Sequence, residues 1–384
     1  MKPKLFLIIN SFYGGGAEHV ASRLSGEFNK KYDLCCISLQ QSSGQDYPFI
    51  GKKIFLKEPS SRVWPLRIKD FAKQIDELAR YYNPITMISF LQNANLALAI
   101  TSYKCRKIIS VRNYLPRLHT GLKSVIWKFL IRKYYNNVNF VVSVSNVISE
   151  SMYLDYGVKK DKCVTIYNPY NIDIILHEAK EPIDECSSEF YSSHCVISVM
   201  GNLSVAKGHY HLIRLLPELR KIIQNVGLVI IGKDKGYLTR LSRLAKDLGV
   251  KEHVYFTGHQ MNPYKYVYRS DCFVFPSLWE GFPNALVEAM ICGKPVIAAN
   301  CLSGPGEILS PNGKDKYGIL MPDDVTPWLD ATKPLTLIEK KYIENIVSIL
   351  TDNREKEYYS NQSLVRAMDF KIDSIVKQWF KIIE

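Results

Sequence analysis

Residues 276–290 read PSLWEGFPNALVEAM, and ICGKPVIAA follows directly. The four residues before the stretch, CFVF at 272–275, are a short apolar run of strand type. After it, residues 285–290 are good helix formers, and Asn284 stands where it can cap them. Strand, tight loop and helix in that order put Glu280 at the carboxyl end of the strand. Glu288 lies one turn past the cap, so both carboxylates can face the crevice where open α/β sheets bind ligands. The plain alternative is a solvated loop glutamate and a surface helix glutamate, since short motifs recur by chance.

The rest of the chain repeats the same alternation. Apolar runs at 5–9, 34–38, 87–90, 108–111 and 140–144 form one series, and runs at 196–200, 226–231, 254–256, 272–275, 295–298 and 318–320 form a second. Strands alternating with helical patterns predict α/β architecture with parallel sheets covered on both faces. The two series predict two domains, in line with a length of 384 residues. The first is expected over 1–170 and the second over 195–364. Residues 171–194, polar and without periodicity from 178 onward, read as a linker. A terminal helix at about 365–384, carrying Trp379, Phe380, Ile382 and Ile383, is expected to fold back on the first domain.

Two strand ends carry glycine clusters. Gly14, Gly15 and Gly16 follow the first strand and open a helix, where free N–H groups and the helix dipole favour an anion. In the second half, Gly201-Asn202-Leu203 ends a strand, and Lys207-Gly208 precedes the next helix. A lysine there is most often a solvated charge. Lys207, Gly281, Glu280 and Glu288 all follow strands of one sheet, however, so they open on one crevice.

Composition excludes several classes. Hydrophobic residues make up 47% of the chain, enough for two cores and too many for a disordered protein. The apolar run at the amino terminus is too short for a signal peptide, and no run approaches the roughly 18 apolar residues of a membrane span. The chain is therefore expected to stay in the cytoplasm. Nine cysteines with no Cys-x-x-Cys pair point to reduced, packed thiols. His209 and His211 have poor helical ligand spacing, so no metal is expected there. The net charge of +13 is concentrated: no Asp or Glu occurs between Leu78 and Ser149, a window that holds ten Lys or Arg. Such a field attracts nucleic acid, acidic lipid or a phosphorylated substrate. The window contains no nucleic-acid-binding module, and no nucleic acid partner is expected. Within it, the helix at 121–135 has Val125, Ile126, Phe129 and Leu130 on the expected core face. Trp127, Ile131 and Tyr134 fall on a neighbouring stripe beside Lys123, Lys128 and Arg132, suited to the headgroup layer of an anionic membrane.

These motifs, in order, resemble glycosyltransferase family 4, retaining enzymes of the GT-B fold with two Rossmann-like domains facing across a central cleft. The resemblance is carried by Gly14-Gly15-Gly16-Ala17-Glu18, Val164-Thr165-Ile166-Tyr167-Asn168-Pro169, Gly201-Asn202-Leu203 with Lys207-Gly208, Ile230-Ile231-Gly232, Tyr255-Phe256-Thr257-Gly258, and Pro276 through Val296. It is strongest over 196–310. It implies transfer of a hexose or N-acetylhexosamine from a nucleotide, UDP above all, to a lipid-linked or glycan acceptor in bacterial surface-polysaccharide assembly. Lys207 and Glu280 would be catalytic. The donor would be held by Gly15, Gly16, Asn202, Gly232, Gly281, Phe282, Pro283, Asn284 and Glu288, with Glu288 on the ribose hydroxyls. The acceptor, on a polyprenyl-diphosphate carrier, would meet Gly14, Arg112, Asn113 and Arg117 in the first domain. The implied place is the inner face of the cell membrane, held peripherally.

Two departures stand out. The family often has arginine after the glycine at 201, and here that residue is Asn202. It also often has a histidine after the fourth strand, where this chain has Arg112-Asn113; His119 is too far along to take its place. No Asp-x-Asp occurs, so neither a metal nor another cofactor is expected. A nucleotide-sugar epimerase of the same fold and a non-catalytic anion-binding protein are the other readings.

Overall fold

A computed structural model describes residues 2–41, 46–118, 120–314, 316–323, 326 and 328–384. His119 lies outside the described residues. The chain divides into two compact units, one of Met1–Tyr170 with Ile372–Glu384 and one of Asn171–Lys371. The first is built on β1 (Lys4–Ile9), β2 (Asp33–Ser38), β3 (Lys52–Phe55), β4 (Thr86–Phe90), β5 (Arg106–Val111), β6 (Phe140–Ser143) and β7 (Cys163–Thr165). These pair in parallel in the order β3-β2-β1-β4-β5-β6-β7. The second unit contains β8 (Cys195–Met200), β9 (Val226–Ile231), β10 (Val254–Gly258), β11 (Cys272–Phe275), β12 (Val296–Ala299) and β13 (Ile319–Met321). Their parallel order is β10-β9-β8-β11-β12-β13.

Two strands escape the sequence pattern, β3 and β7, and both are sheet edges. β3 has two exposed lysines and only four residues, the short charged form that protects an edge from further pairing. The central strands read clearly because they are buried on both faces: β9 is buried along its whole length.

In each sheet the order reverses beside the first strand, at β1/β4 and at β8/β11. Loops leaving the carboxyl ends of the two strands at such a switch diverge to opposite faces and leave a crevice between them. The local sequence thus fixes where a ligand can enter.

The segment 171–194 is not a linker. Asn171 caps a helix, Ile172–Ala179, by accepting from the Ile174 N–H at 3.1 Å. Asp184 caps a second, Glu185–Ser193, by accepting from the Ser187 N–H at 2.9 Å. Phe190 of that helix stacks on His194 and lies 5.4 Å from the Tyr255 ring, so both helices belong to the second unit. Serines and glutamates with a single aromatic pair give no helical period, which is why the sequence reads as a linker. At the other end, only Ile372–Ile383 joins the first unit, while 365–371 stays with the second. Its Ile375, Val376, Trp379 and Ile383 enter the core formed by Leu5, Leu7, Phe28 and Phe90.

The helix Gly121–Tyr134 is turned from its expected orientation. Trp127 is 5% exposed and Ile131 fully buried, with the Trp127 ring 5.1 Å from Trp64. Val125 and Phe129 are each 63% exposed, and Ile126 is 49% exposed. Both stripes are apolar, so period alone could not choose; the large aromatic partner at Trp64 draws in the stripe with the larger ring. Trp127 and Ile131 are therefore core residues and not membrane contacts.

Candidate active site

The loops after β8 and β11 are joined by close backbone contacts. The Leu278 N–H donates to Ala206 O at 2.8 Å. Gly208 has φ +62, and a Cβ there would stand 2.2 Å from Pro276 O, so the lysine loop needs glycine on both counts. Gly232, after β9, has no room either: its Cβ would lie 2.0 Å from Gly201 O. The glycines at 208 and 232 thus serve backbone approach, whatever else they contact.

This scaffold brings Lys207 and Glu280 together. The Lys207 ammonium donates to Glu280 Oε1, and the pair is mostly shielded, with side-chain exposures of 25% and 13%. The ammonium also lies 5.8 Å from the Phe275 ring centre. Its stem runs over Gly201, whose Cβ would meet Lys207 Cδ at 3.1 Å. A shielded lysine with one carboxylate is a mobile cation that can trade its partner for an incoming anion. Asn202 is exposed and adds no charge beside it.

Glu288 sits in the helix Asn284–Ile291 and is 7% exposed. Its Oε1 accepts from the Tyr264 hydroxyl at 3.3 Å. Asn284 is the first helical residue, and the cap position belongs to Pro283, so the expected side-chain cap is not made. Phe282 is buried against Phe370 at 5.8 Å, and the Ser303 hydroxyl donates to Gly281 O at 2.6 Å. Tyr264 escapes sequence reasoning because it stands in a short helix after β10, and only the fold carries it to Glu288.

Neither histidine of the following helix forms a metal pair. His211 Nδ1 bonds Glu339 at 2.9 Å, and Arg214 Nε donates to the same carboxylate at 2.8 Å. These bonds hold the Glu339 carboxyl down to about 2, although its burial opposes them. His209 is buried, and the loss of hydration, then the Lys207 charge, push it down to about 3, so its ring is neutral. Among the described residues, no group of three or more His, Cys, Asp or Glu is placed to hold a metal ion.

In the first unit the predicted residues differ in exposure and in partners. Glu18 reaches back over the glycine loop, its Oε2 accepting from the Gly15 N–H at 3.1 Å. A carboxylate therefore already occupies the helix start, and an anion approaching Gly14, Gly15 or Gly16 meets like charge. Arg117 and Asn113 are exposed. Arg112 is only 7% exposed, with Nη1 donating to Ser110 Oγ at 3.3 Å and Nη2 donating to Asn168 Oδ1. Leu91, at the end of β4, has φ 72 and ψ 159, a region nearly reserved for glycine that costs on the order of 1–3 kcal/mol.

A family model described as glycosyl transferases group 1 matches residues 184–326, which include both Lys207 and Glu288. Over nearly the whole length, the chain is 30% identical across 382 residues to an uncharacterized glycosyltransferase of Methanocaldococcus jannaschii, covering 93% of this chain and 94% of that one. The chain is a glycosyltransferase. The transferase is also 26% identical, across 99% of both chains, to the N-acetylgalactosamine-N,N'-diacetylbacillosaminyl-diphospho-undecaprenol 4-alpha-N-acetylgalactosaminyltransferase of Campylobacter jejuni. Its fold is that of Anabaena HepE, solved in complex with UDP and glucose, with a TM-score of 0.78, 18% identity and coverage of 99% and 98%. The expected GT-B architecture of two Rossmann-like parallel-sheet domains is therefore established for the transferase. No helix among the described residues is long and apolar enough to cross a membrane.

Proposed function

We propose that the transferase moves a hexose or N-acetylhexosamine from a UDP-sugar, with retention of configuration, to an acceptor on a polyprenyl-diphosphate carrier in bacterial surface-glycan assembly. The observation that carries this reading is the Lys207–Glu280 pair at the β8/β11 switch point, with Glu288 buried in the adjoining helix. A diphosphate leaving group gains negative charge as the sugar departs. The Lys207 ammonium, released from Glu280, neutralises that charge in a site that excludes much of the water. Glu280 then accepts from hydroxyls of the sugar, while the N–H groups at the start of the Asn284–Ile291 helix face phosphate oxygen. No metal enters this scheme, and EDTA is expected to leave turnover unchanged. Support for the donor and acceptor classes comes from the UDP complex of HepE and from the diphospho-undecaprenol acceptor in the name of the Campylobacter relative.

Glu288 takes the ribose diol, and Tyr264 positions it. Glu288→Gln should mainly raise the donor KM. Tyr264→Phe should raise it by a smaller factor, about three- to tenfold, with kcat unchanged, because one neutral hydrogen bond is lost. A fall in kcat at constant KM would contradict both roles. The nucleotide is tested by thermal unfolding with UDP-, GDP- and ADP-sugars. Stabilisation by UDP-sugars is expected, and stabilisation by GDP-mannose alone would overturn the UDP assignment.

The membrane part of the reading rests on the outward face of the helix Gly121–Tyr134. Val125, Ile126 and Phe129 are exposed there among Lys123, Lys128, Arg132 and Lys133, all of them exposed. Apolar side chains enter the acyl boundary while the lysines meet anionic headgroups, each adding about 1 kcal/mol. Liposome flotation should require anionic lipid, weaken with salt, and fail when these four basic residues are changed to Glu. Equal flotation with neutral vesicles, or none with either, would contradict the membrane role.

A further inference from the structure

The loop at 281–283 runs from β11 to the helix Asn284–Ile291 and belongs to no strand or helix, so neighbouring segments set its place. One support is the segment after β12. The Ser303 hydroxyl, on a residue only 1% exposed, donates to Gly281 O at 2.6 Å. Gly304 has φ +99, and a Cβ there would stand 2.3 Å from Pro283 Cδ, so its backbone lies directly against the loop. The other support is Phe370, fully buried, whose ring meets that of Phe282 edge-on at 5.8 Å.

One side chain joins the two supports. Arg366, 9% exposed, donates from Nε to Ile308 O and from Nη2 to Glu307 O, each at 2.8 Å. These carbonyls end the short helix Pro305–Leu309, which starts directly after Gly304, and the last carbonyls of a helix lack partners within it. The same guanidinium lies 4.8 Å from the Phe370 ring centre, and its Nη1 donates to Asp369 at 2.7 Å. A planar fork serves two carbonyls, a carboxylate and an aromatic face together, which an ammonium does not reproduce. Closing a helix end alone would need no contact with Phe370. Arg366 and Phe370 both lie outside the residues 184–326 matched by the family model.

We propose that Arg366 is a positioning residue for the loop 281–283, acting through Phe370 on Phe282 and through the helix Pro305–Leu309 on Gly281 and Pro283. The role rests on the reading that this loop holds the phosphate and sugar of the donor. Donors that stabilise developing charge must already be in place when the charge appears. A misplacement of about 1 Å can cost on the order of 10²-fold in rate, even when the change lies far from the chemistry. Glu288 keeps its hold on the ribose when Arg366 is changed, so the loss falls on kcat more than on KM.

Arg366→Lys is the test variant, since it keeps the charge beside Asp369 and loses the fork. Steady-state kinetics use the UDP-sugar that wild type turns over and a polyprenyl-diphosphate-linked acceptor, with rates counted per folded molecule from a urea curve of the same preparation. The variant should show kcat lower by about tenfold, with donor KM within about twofold of wild type. Phe370→Leu, which keeps a buried apolar side chain and removes the ring, should lower kcat in the same way. The double variant should lose less than the product of the two single losses, because both act on one loop. A purely structural arginine would shift the urea midpoint and leave kcat per folded molecule at the wild-type value. That result overturns the proposal, and so do losses that simply multiply in the double variant. Where Arg366→Lys does not fold, Phe370→Leu decides by the same kcat criterion. Lys207→Ala is run alongside: full turnover in Lys207→Ala counts against the donor reading, whereas a loss there with full kcat in Arg366→Lys and Phe370→Leu overturns the positioning role alone.

Discussion

Lys207→Ala is expected to lower turnover by about 10²-fold, the size seen when one preorganised donor to a developing charge is removed. The structure adds a second consequence. Without Lys207, the Glu280 carboxylate, whose side chain is 13% exposed, loses its cation, and a donor diphosphate would then meet a bare negative charge. Turnover and donor binding should therefore both suffer. Glu280→Ala should also lower kcat and raise KM, because it removes the sugar contact while leaving the lysine free. The double variant Lys207→Ala/Glu280→Ala separates the effects: donor affinity should recover part of the loss seen in Lys207→Ala, whereas kcat should not. Steady-state kinetics with a UDP-sugar reads both. Unchanged kcat and KM in all of these variants would remove Lys207 and Glu280 from the active site.

Trp379→Ala is expected to cost about 3–5 kcal/mol of stability in the first unit. Trp379 is fully buried, 6.0 Å from the Phe28 ring and 5.8 Å from Phe90, and it anchors the helix Ile372–Ile383 in that core. The same helix is tied at its end by the Thr86 hydroxyl and the Arg106 guanidinium, which donate to Ile383 O and Ile382 O, each at 3.0 Å. Urea denaturation followed by far-UV circular dichroism measures the change. A shift below about 1 kcal/mol would mean that the terminal helix contributes little to the unit it joins.

Lys207, Glu280 and Trp379 mark what sequence can and cannot reveal. Lys207 and Glu280 were readable together because each follows a central strand, and central strands buried on both faces announce themselves as apolar runs. Once the strands were in place, the crevice followed from topology. Trp379 was readable as apolar, and only the span of its helix was overestimated. Tyr264 was not readable, since its bond to Glu288 bridges 24 positions and depends on how the short helix after β10 meets the next one. The helix Gly121–Tyr134 failed for a different reason: two apolar stripes compete, and the choice was made by Trp64, an aromatic residue 63 positions away from Trp127. In the first unit the glycine loop promised an anion site, but Glu18, three residues into the following turn, claims the Gly15 N–H. The segments at 172–179 and 185–193 were missed because their helices are held by Asn171 and Asp184 caps and by few apolar contacts.

Transfer of a sugar from a nucleotide at the Lys207–Glu280 site is read out by release of the free nucleotide. Wild type and Lys207→Ala are incubated with a set of UDP-sugars, with and without a polyprenyl-diphosphate-linked acceptor, and free UDP and the recovered sugar nucleotide are quantified. UDP release by wild type is expected to depend on the acceptor, with the remaining donor unchanged, and to fall about 10²-fold in Lys207→Ala. Interconversion of the donor sugar without need of an acceptor, or equal UDP release by the two proteins, would contradict it.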